Sequence, residues 1–198
     1  MRMTHPFTAL DMIAGDERIL AAWPRFGRYL GRVPWFSTVG DPLTPSVQTL
    51  AQDYLAALGL PETGVALVES PHDVIDVLTD LEAAGPLRTQ EEQLRQDTLA
   101  RATAGMADPE RLFEAVEIMK GLAAVTAGRA IEEDGVFAPG TASDLLDAAV
   151  GAAVAATVDA ALVLAGDGDP AHPFVLRFRL FERGRWPLAL IGATFHLY

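Results

Sequence analysis

Between residues 44 and 164 the apolar positions recur three and four apart, and most runs are bounded by residues that start or stop helices. In "TPSVQTLAQDYLAALGLP", Thr44 is an N-cap with Pro45 at the first helical position, and Gly59 and Pro61 close the element. Val47, Leu50, Ala51, Tyr54, Leu55 and Leu58 form its apolar stripe. "TGVALVES" follows as a short apolar strand, Val65 to Val68. Ser70 then caps a second helix, with Pro71 at its first position and Asp73 where a capping box places Glu. Val74, Val77, Leu78 and Leu81 form its buried face, and Gly85-Pro86 stops it.

"TQEEQLRQDTLARATAG" reads as a more solvated helix whose Glu91–Arg95 and Asp97–Arg101 pairs stand one turn apart. Asp108-Pro109 opens another that runs to Gly135. Leu112, Val116, Met119, Ala123 and Thr126 line one face of it, and Phe113, Ile118 and Leu122 widen that face. A last helix runs from Ser143 to about Leu164. From Ala148 to Gly166 it carries one charge, Asp159. That stretch is long enough to cross a bilayer, but it is rich in barely apolar alanine, and a mid-membrane aspartate costs about 2.5–3.5 kcal/mol. Gly151, Ala152, Ala155 and Ala156 favour close helix approach instead, as in a buried central helix or one half of a dimer seam.

The pattern changes at residue 174. Phe174, Leu176, Phe178 and Leu180 alternate with Val175, Arg177, Arg179 and Phe181, the period of a half-buried strand. "ERGR" reads as a turn and "WPLALIGATFHLY" as a returning strand, with Pro187 at an edge or near the turn. A lone hairpin is marginal in water. Val65–Val68 and a piece of "RVPWFSTVG" are the candidates to extend it, or a helix laid across it. The expected class is α+β: a mainly helical body with a small, mostly antiparallel sheet that includes a C-terminal β-hairpin.

Charge divides the chain the same way. Residues 1–40 hold five arginines against three acids, and residues 174–198 hold four against Glu182. The stretch 41–173 carries net −17, which makes the whole chain −12. Six of the fifteen aromatics lie in each terminal segment. Aromatic burial and charge attraction both favour bringing the two ends together, so residues 1–198 are expected to form a single domain, with the helical acidic middle 41–166 closed by its termini. The absence of cysteine excludes disulfides, thiolate nucleophiles and cysteine-ligated metals. "MRMTHPFTALDMIAGDER" has no unbroken apolar run, so no secretory signal is expected. With one lysine against fourteen arginines and no asparagine, the composition suits a high-GC genome; a cytoplasmic bacterial protein is the expectation.

Candidate chemistry is sparse. No G-x-G-x-x-G, Walker loop, G-x-S-x-G or H-E-x-x-H is present, and catalytic residues are not assigned. "AGDGDP" holds two aspartates but lacks EF-hand spacing, and ordinary turn chemistry accounts for it. His5, His72 and His172 sit beside proline in loops or caps; a metal site would need His72, Asp73 or Asp76 to meet His196. Glu91 and Glu92 on one helix and Glu114 and Glu117 on the next are the best enzymatic lead, because two acidic helices can hold Mg²⁺ or Mn²⁺ against a phosphate. That run is faintly similar to the helical nucleotide pyrophosphohydrolases, and it departs from them at Arg95 and Gln96, where further acids would be wanted. Glu110, Glu114 and Glu117 also read as the solvated edge of an amphipathic helix.

Arg177, Arg179, Arg183 and Arg185, interleaved with Phe181 and Trp186, read as a small cationic-aromatic surface. At −12 overall the chain repels phosphate backbones, so that surface suits intramolecular pairing or a protein partner rather than nucleic acid. Neither nucleic acid nor a membrane is an expected partner, and no cofactor is expected outside the metal reading. The favoured function is a soluble, non-catalytic protein-interaction or regulatory protein, a homo-oligomer or a binder of a basic partner. An immunity- or antitoxin-like inhibitor is one example. The alternatives are a metal-dependent helical phosphohydrolase acting on a nucleotide and an architectural homodimer.

Overall fold

A computed structural model describes residues 16–79, 85–104, 106, 108–133, 137 and 141–198. Seven helices are present among these residues: α1 (Asp16–Leu30), α2 (Pro45–Ala57), α3 (Pro71–Thr79), α4 (Gly85–Ala104), α5 (Glu110–Glu133), α6 (Ser143–Ala165) and α7 (Pro173–Phe181). Three strands, β1 (Gly64–Leu67), β2 (Pro187–Ile191) and β3 (Thr194–Leu197), form a sheet of order β1-β3-β2. The chain is thus α+β, a mainly helical body with a small mixed sheet that contains a C-terminal hairpin. The hairpin pair β2–β3 is antiparallel and β1–β3 parallel.

Local signals place the first elements where the sequence puts them. Thr44 Oγ1 accepts the Val47 amide at 3.4 Å, and Pro45 opens α2. Gly59 follows that helix at φ +79, a conformation glycine adopts without steric cost. At α3, Ser70 Oγ accepts the Asp73 amide at 3.2 Å and donates to Asp73 Oδ2 at 2.7 Å, a capping box in which the two side chains also bond each other. The expected roles of Leu81, Gly135 and His5 fall outside the described residues.

The tail differs from its expectation. Residues 173–181 are helix rather than strand. Pro173 stands at the first helical position, and His172 Nδ1 accepts the Phe174 amide at 3.2 Å. Pro173, Phe174, Val175, Leu176, Phe178, Leu180 and Phe181 are all buried. A helix enclosed on nearly every side needs apolar residues all round, and over nine residues that demand looks the same as alternation. The hairpin lies one element later, entirely within "PLALIGATFHL", and Gly192 at φ +60 sits in its turn. "RVPWFSTVG" contributes turns instead of a strand.

Those turns nonetheless join the two ends. Trp35 meets Phe178 and Phe181 with centroids 6.0 and 5.5 Å apart, and Phe36 meets Phe181 and Trp186 at 5.8 and 5.9 Å. Phe26 stands edge-on to Phe178 at 5.2 Å. Phe36 holds φ +58, an uncommon conformation for a large side chain, and is fully buried in this cluster. Gly184, at φ +74, lies so close that a Cβ there would come within 2.6 Å of Ser37 Oγ and 2.9 Å of the Thr38 amide.

α6 is the axis of the helical body, with α5, α7, α1 and α4 packed around it. α7 lies between α6 and α2, and a second apolar cluster of Tyr54, Leu55, Leu176, Leu180, Phe195 and Leu197 ties α2 and α7 to the sheet. Length and composition would let α6 cross a membrane, but 61% of its most apolar window is buried inside the protein. Its small residues are used for internal packing, with Ala149, Ala153, Ala156 and Ala160 fully buried. Of the four small residues that suggested close helix approach, Ala156 is buried, Ala152 and Ala155 are half-buried and Gly151 is exposed.

Candidate functional site

Two features stand out chemically: a charged seam inside the helical body and an uncovered apolar face on its outside. The seam starts from Asp159, the single charge in the apolar run of α6, which is only 2% exposed. A carboxylate taken out of water must be paired. Arg95 of α4 supplies a two-pronged partner, Nε to Oδ1 at 2.8 Å and an Nη to Oδ2 at 3.0 Å. Arg177 of α7 stands 4.0 Å from the same carboxylate and donates to Glu91 Oε1 at 3.0 Å. Tyr54 of α2 donates to that same Glu91 oxygen at 2.5 Å. At the outer end Arg95 also holds Glu92 at 2.7 Å, and Gln96 donates to Glu92 at 2.9 Å.

The electrostatics follow from this geometry. Bonding to Asp159, then the Asp159 and Glu92 charges, raise the Arg95 pKa against a burial effect that lowers it. For Arg177 burial is the largest single influence and lowers the pKa, but Glu91, Tyr54 and Asp159 together outweigh it and the net shift is upward. Tyr54 is pushed far up by burial and by neighbouring Glu91, so its hydroxyl stays a donor. Bonds from Gln96 and Arg95 lower Glu92. The two cations, three carboxylates and phenol therefore satisfy one another, and the seam cross-links α2, α4, α6 and α7.

The carboxylates expected to hold a metal are placed as follows. Glu91 and Glu92 are engaged in the seam, whereas Glu114 and Glu117 are exposed on α5, with Glu117 bonded to Lys120 at 2.6 Å. No group of three or more histidines or acids stands together as a metal site among the described residues. The i,i+4 pairs of α4 are re-partnered: Arg95 takes Glu92 and Asp159 rather than Glu91, and Arg101 takes Asp167 at 3.3 Å rather than Asp97. Asp73 is used in its cap, and His196 sits on β3 opposite Ala66.

The expected cationic-aromatic surface is not assembled. Arg177 is in the seam and Trp186 is buried in the aromatic cluster. Arg185 is 2% exposed and donates to the carbonyls of Asp41 and Pro42 at 2.7 and 2.9 Å. Arg179 is half-buried, and among the five residues only Arg183 is exposed. α7 carries only Arg177 and Arg179 of the five, both half-buried, and the turn after it buries Arg185 and Trp186. The "AGDGDP" segment is a turn, in which Asp167 accepts the Asp169 amide and Asp169 accepts the Ala171 amide.

His172, placed by the sequence in a cap, is buried with both ring nitrogens bonded. Nδ1 accepts from Phe174, so the neutral ring carries its proton on Nε2 and donates to Thr98 Oγ1 at 3.2 Å; Thr98 in turn donates to the Leu94 carbonyl. Burial lowers its pKa, and Asp167 and Arg101 pull in opposite directions.

The uncovered face lies on α5. Leu112, Val116, Met119, Ala123, Ala127 and Ile131 point inward, the first five close to the stripe read from the sequence. Phe113, Ile118 and Leu122, expected to widen that stripe, are instead 52%, 61% and 38% exposed, and Val125 is 61% exposed. Beside them an apolar groove of about 490 Å³ runs between α1 and α5, lined by Trp23, Pro24, Gly27, Ile118, Met119 and Leu122. Gly27 sets how closely the two helices approach, since a Cβ there would lie 3.0 Å from Leu122 Cδ1. Gly121 and Gly128 share the outer side of α5, and an added Cβ at either meets nothing within 4 Å. Each weakens the helix by about 1 kcal/mol relative to alanine, with no neighbour inside the chain that requires it.

Comparisons with family models, curated proteins and solved structures give no match, so likeness assigns neither a family nor a function.

Proposed function

We propose that this protein acts by contact with other proteins rather than by catalysis, and that the contact is made on the outer face of α5 and the groove it shares with α1. The observation that carries the reading is the run Ile118, Leu122 and Val125, left uncovered on a chain of net charge −12. Contiguous apolar surface of this kind marks sites where proteins meet. The engaged state of Glu91 and Glu92 weighs against a phosphohydrolase, which needs carboxylates open to a cation. A homo-oligomer and an inhibitor of a basic partner are both forms of this reading, and a cytoplasmic setting accords with it.

A photo-crosslinking residue placed at Gly128, at the edge of that face with no described atom within 4 Å of an added Cβ, tests the proposal in living cells. The expected result is an adduct of defined mass with a protein. In parallel, thermal melts of chelator-treated protein are expected to stay flat with Mg²⁺, Mn²⁺ and nucleotides. A ligand at a hundred times its dissociation constant would add about 2.7 kcal/mol, or roughly 5–10 °C. No protein adduct, together with a metal- and nucleotide-dependent rise in the midpoint, would overturn the reading.

A further inference from the structure

We infer that the partner on this face is a second copy of the same chain, its α5 lying antiparallel to the first about a two-fold axis between Gly121 and Leu122. This inference rests on the contact reading above and names its occupant. Positions 111, 114, 118, 122, 125, 129 and 132 follow three- and four-residue spacing along one helix face, with Gly121 beside Leu122 at its centre, on the side away from the buried stripe. The centre of that face is apolar or glycine and its ends are charged.

Turning the helix about the stated axis makes the pattern match itself. Ile118 comes level with Val125 of the second copy, the two most exposed aliphatic side chains of α5. Glu114 comes level with Arg129 of the second copy, and Arg111 with Glu132 of the second copy. Each of these four charges then meets its opposite, and by symmetry each pairing occurs twice. Gly121 comes level with Leu122 of the second copy, so the missing side chain lies at the crossing, where the helices must come nearest.

Charge separates this occupant from a basic partner. Arg111 and Arg129 balance Glu114 and Glu132, so the face is neutral although the chain carries −12. Two acidic copies can meet on a neutral face, whereas a cationic target would be drawn to an acidic one. Arg129 is already exposed and holds its own Glu133 only at 3.8 Å, so it can turn outward.

Sedimentation velocity of the full chain over a concentration series tests the arrangement. The expected species has twice the 21.2 kDa chain mass. Ile118→Glu leaves a monomer where the wild type is dimeric, and circular dichroism checks that the variant is folded; Val125→Glu does the same from the opposing position. Arg129→Glu weakens the dimer by about tenfold, because two pairings turn repulsive. Combining it with Glu114→Arg restores the affinity, since the swap recreates both pairings with signs reversed. A wild type that stays monomeric, a dimer indifferent to Ile118→Glu, or a swap that fails to recover overturns the arrangement. Should the Gly128 crosslink carry a protein other than this chain, the second-copy assignment falls while the contact reading stands.

Discussion

The seam between α4, α6 and α7 and the outer face of α5 invert the ordinary distribution of polarity. The seam buries Asp159 and half-buries Arg177 and matches each with a partner, while α5 leaves Ile118 and Val125 mostly exposed with none among the described residues. Both arrangements cost free energy in an isolated chain, but they are compensated differently. Within the seam compensation is internal, because a buried ion is tolerable only when its counter-ion and hydrogen bonds are fixed around it. On α5 no compensating contact stands among the described residues, and under the contact reading proposed above the gain comes from outside. The first region is therefore sensitive to losing a partner and the second to gaining one.

The sharpest way to break this contrast is Asp159→Ala. It leaves Arg95 and Arg177 facing each other without their shared carboxylate. Stability measured by urea unfolding should fall by about 3–5 kcal/mol; a loss below about 1 kcal/mol would show the seam to be solvated and loosely held. Next comes Tyr54→Phe, which deletes one hydroxyl bonded to the buried Glu91. A hydrogen bond to a charged group is worth about 1.5–3 kcal/mol, and a loss in that range is expected by the same measurement.

A third test uses acid. The fold favours the neutral His172 ring, because burial lowers its pKa from the ordinary 6.5. The unfolded chain takes up this proton first, so stability present above about pH 6.5 declines as the pH falls. His172→Asn keeps a capping acceptor and removes the titration, which should flatten the midpoint between pH 7.5 and 5; His196, lowered by its own burial, keeps part of the slope. An unchanged slope in the variant would place the acid sensitivity elsewhere. The smallest effect belongs to α5. In dilute protein Ile118→Ser should alter unfolding by less than about 0.5 kcal/mol, as substitutions on uncovered surface do. A loss of 2 kcal/mol would mean that Ile118 is covered within a single chain, and the contrast would collapse.

Much of the fold is legible in the sequence where the signals are local. Thr44-Pro45 and Ser70-Pro71-Asp73 state their helix starts in three or four residues, and the structure forms both. His172-Pro173 carries a related signature, with proline at the first helical position, and it marks the start of α7 against the strand-like alternation of 174–181. The seam is harder to read. Asp159 stands out as a charge in an apolar helix, but its partner Arg95 lies 64 positions away, and on α4 Glu91 and Glu92 compete for that arginine in any one-dimensional reading. The face of α5 is illegible for a different reason. Periodicity says that Ile118 and Leu122 share a helix with Leu112 and Met119, but not how wide a stripe its neighbours can cover.

The aromatic cluster that joins the chain's two ends also bears on its synthesis. Thr38 Oγ1 donates to the Arg183 carbonyl at 2.8 Å across 145 positions of sequence, and Trp35 and Phe36 wait for Phe178, Phe181 and Trp186 across a similar span. A contact this distant is expensive to close and cannot form until its far half has been translated. Until then Trp35 and Phe36 have only partners such as Leu30 and Phe137 and lack the rest of their cluster, a surface of the kind that chaperones bind and proteases find. A truncated product ending before α7 would therefore be cleared rather than accumulate, so only copies translated through that region would persist in the cell.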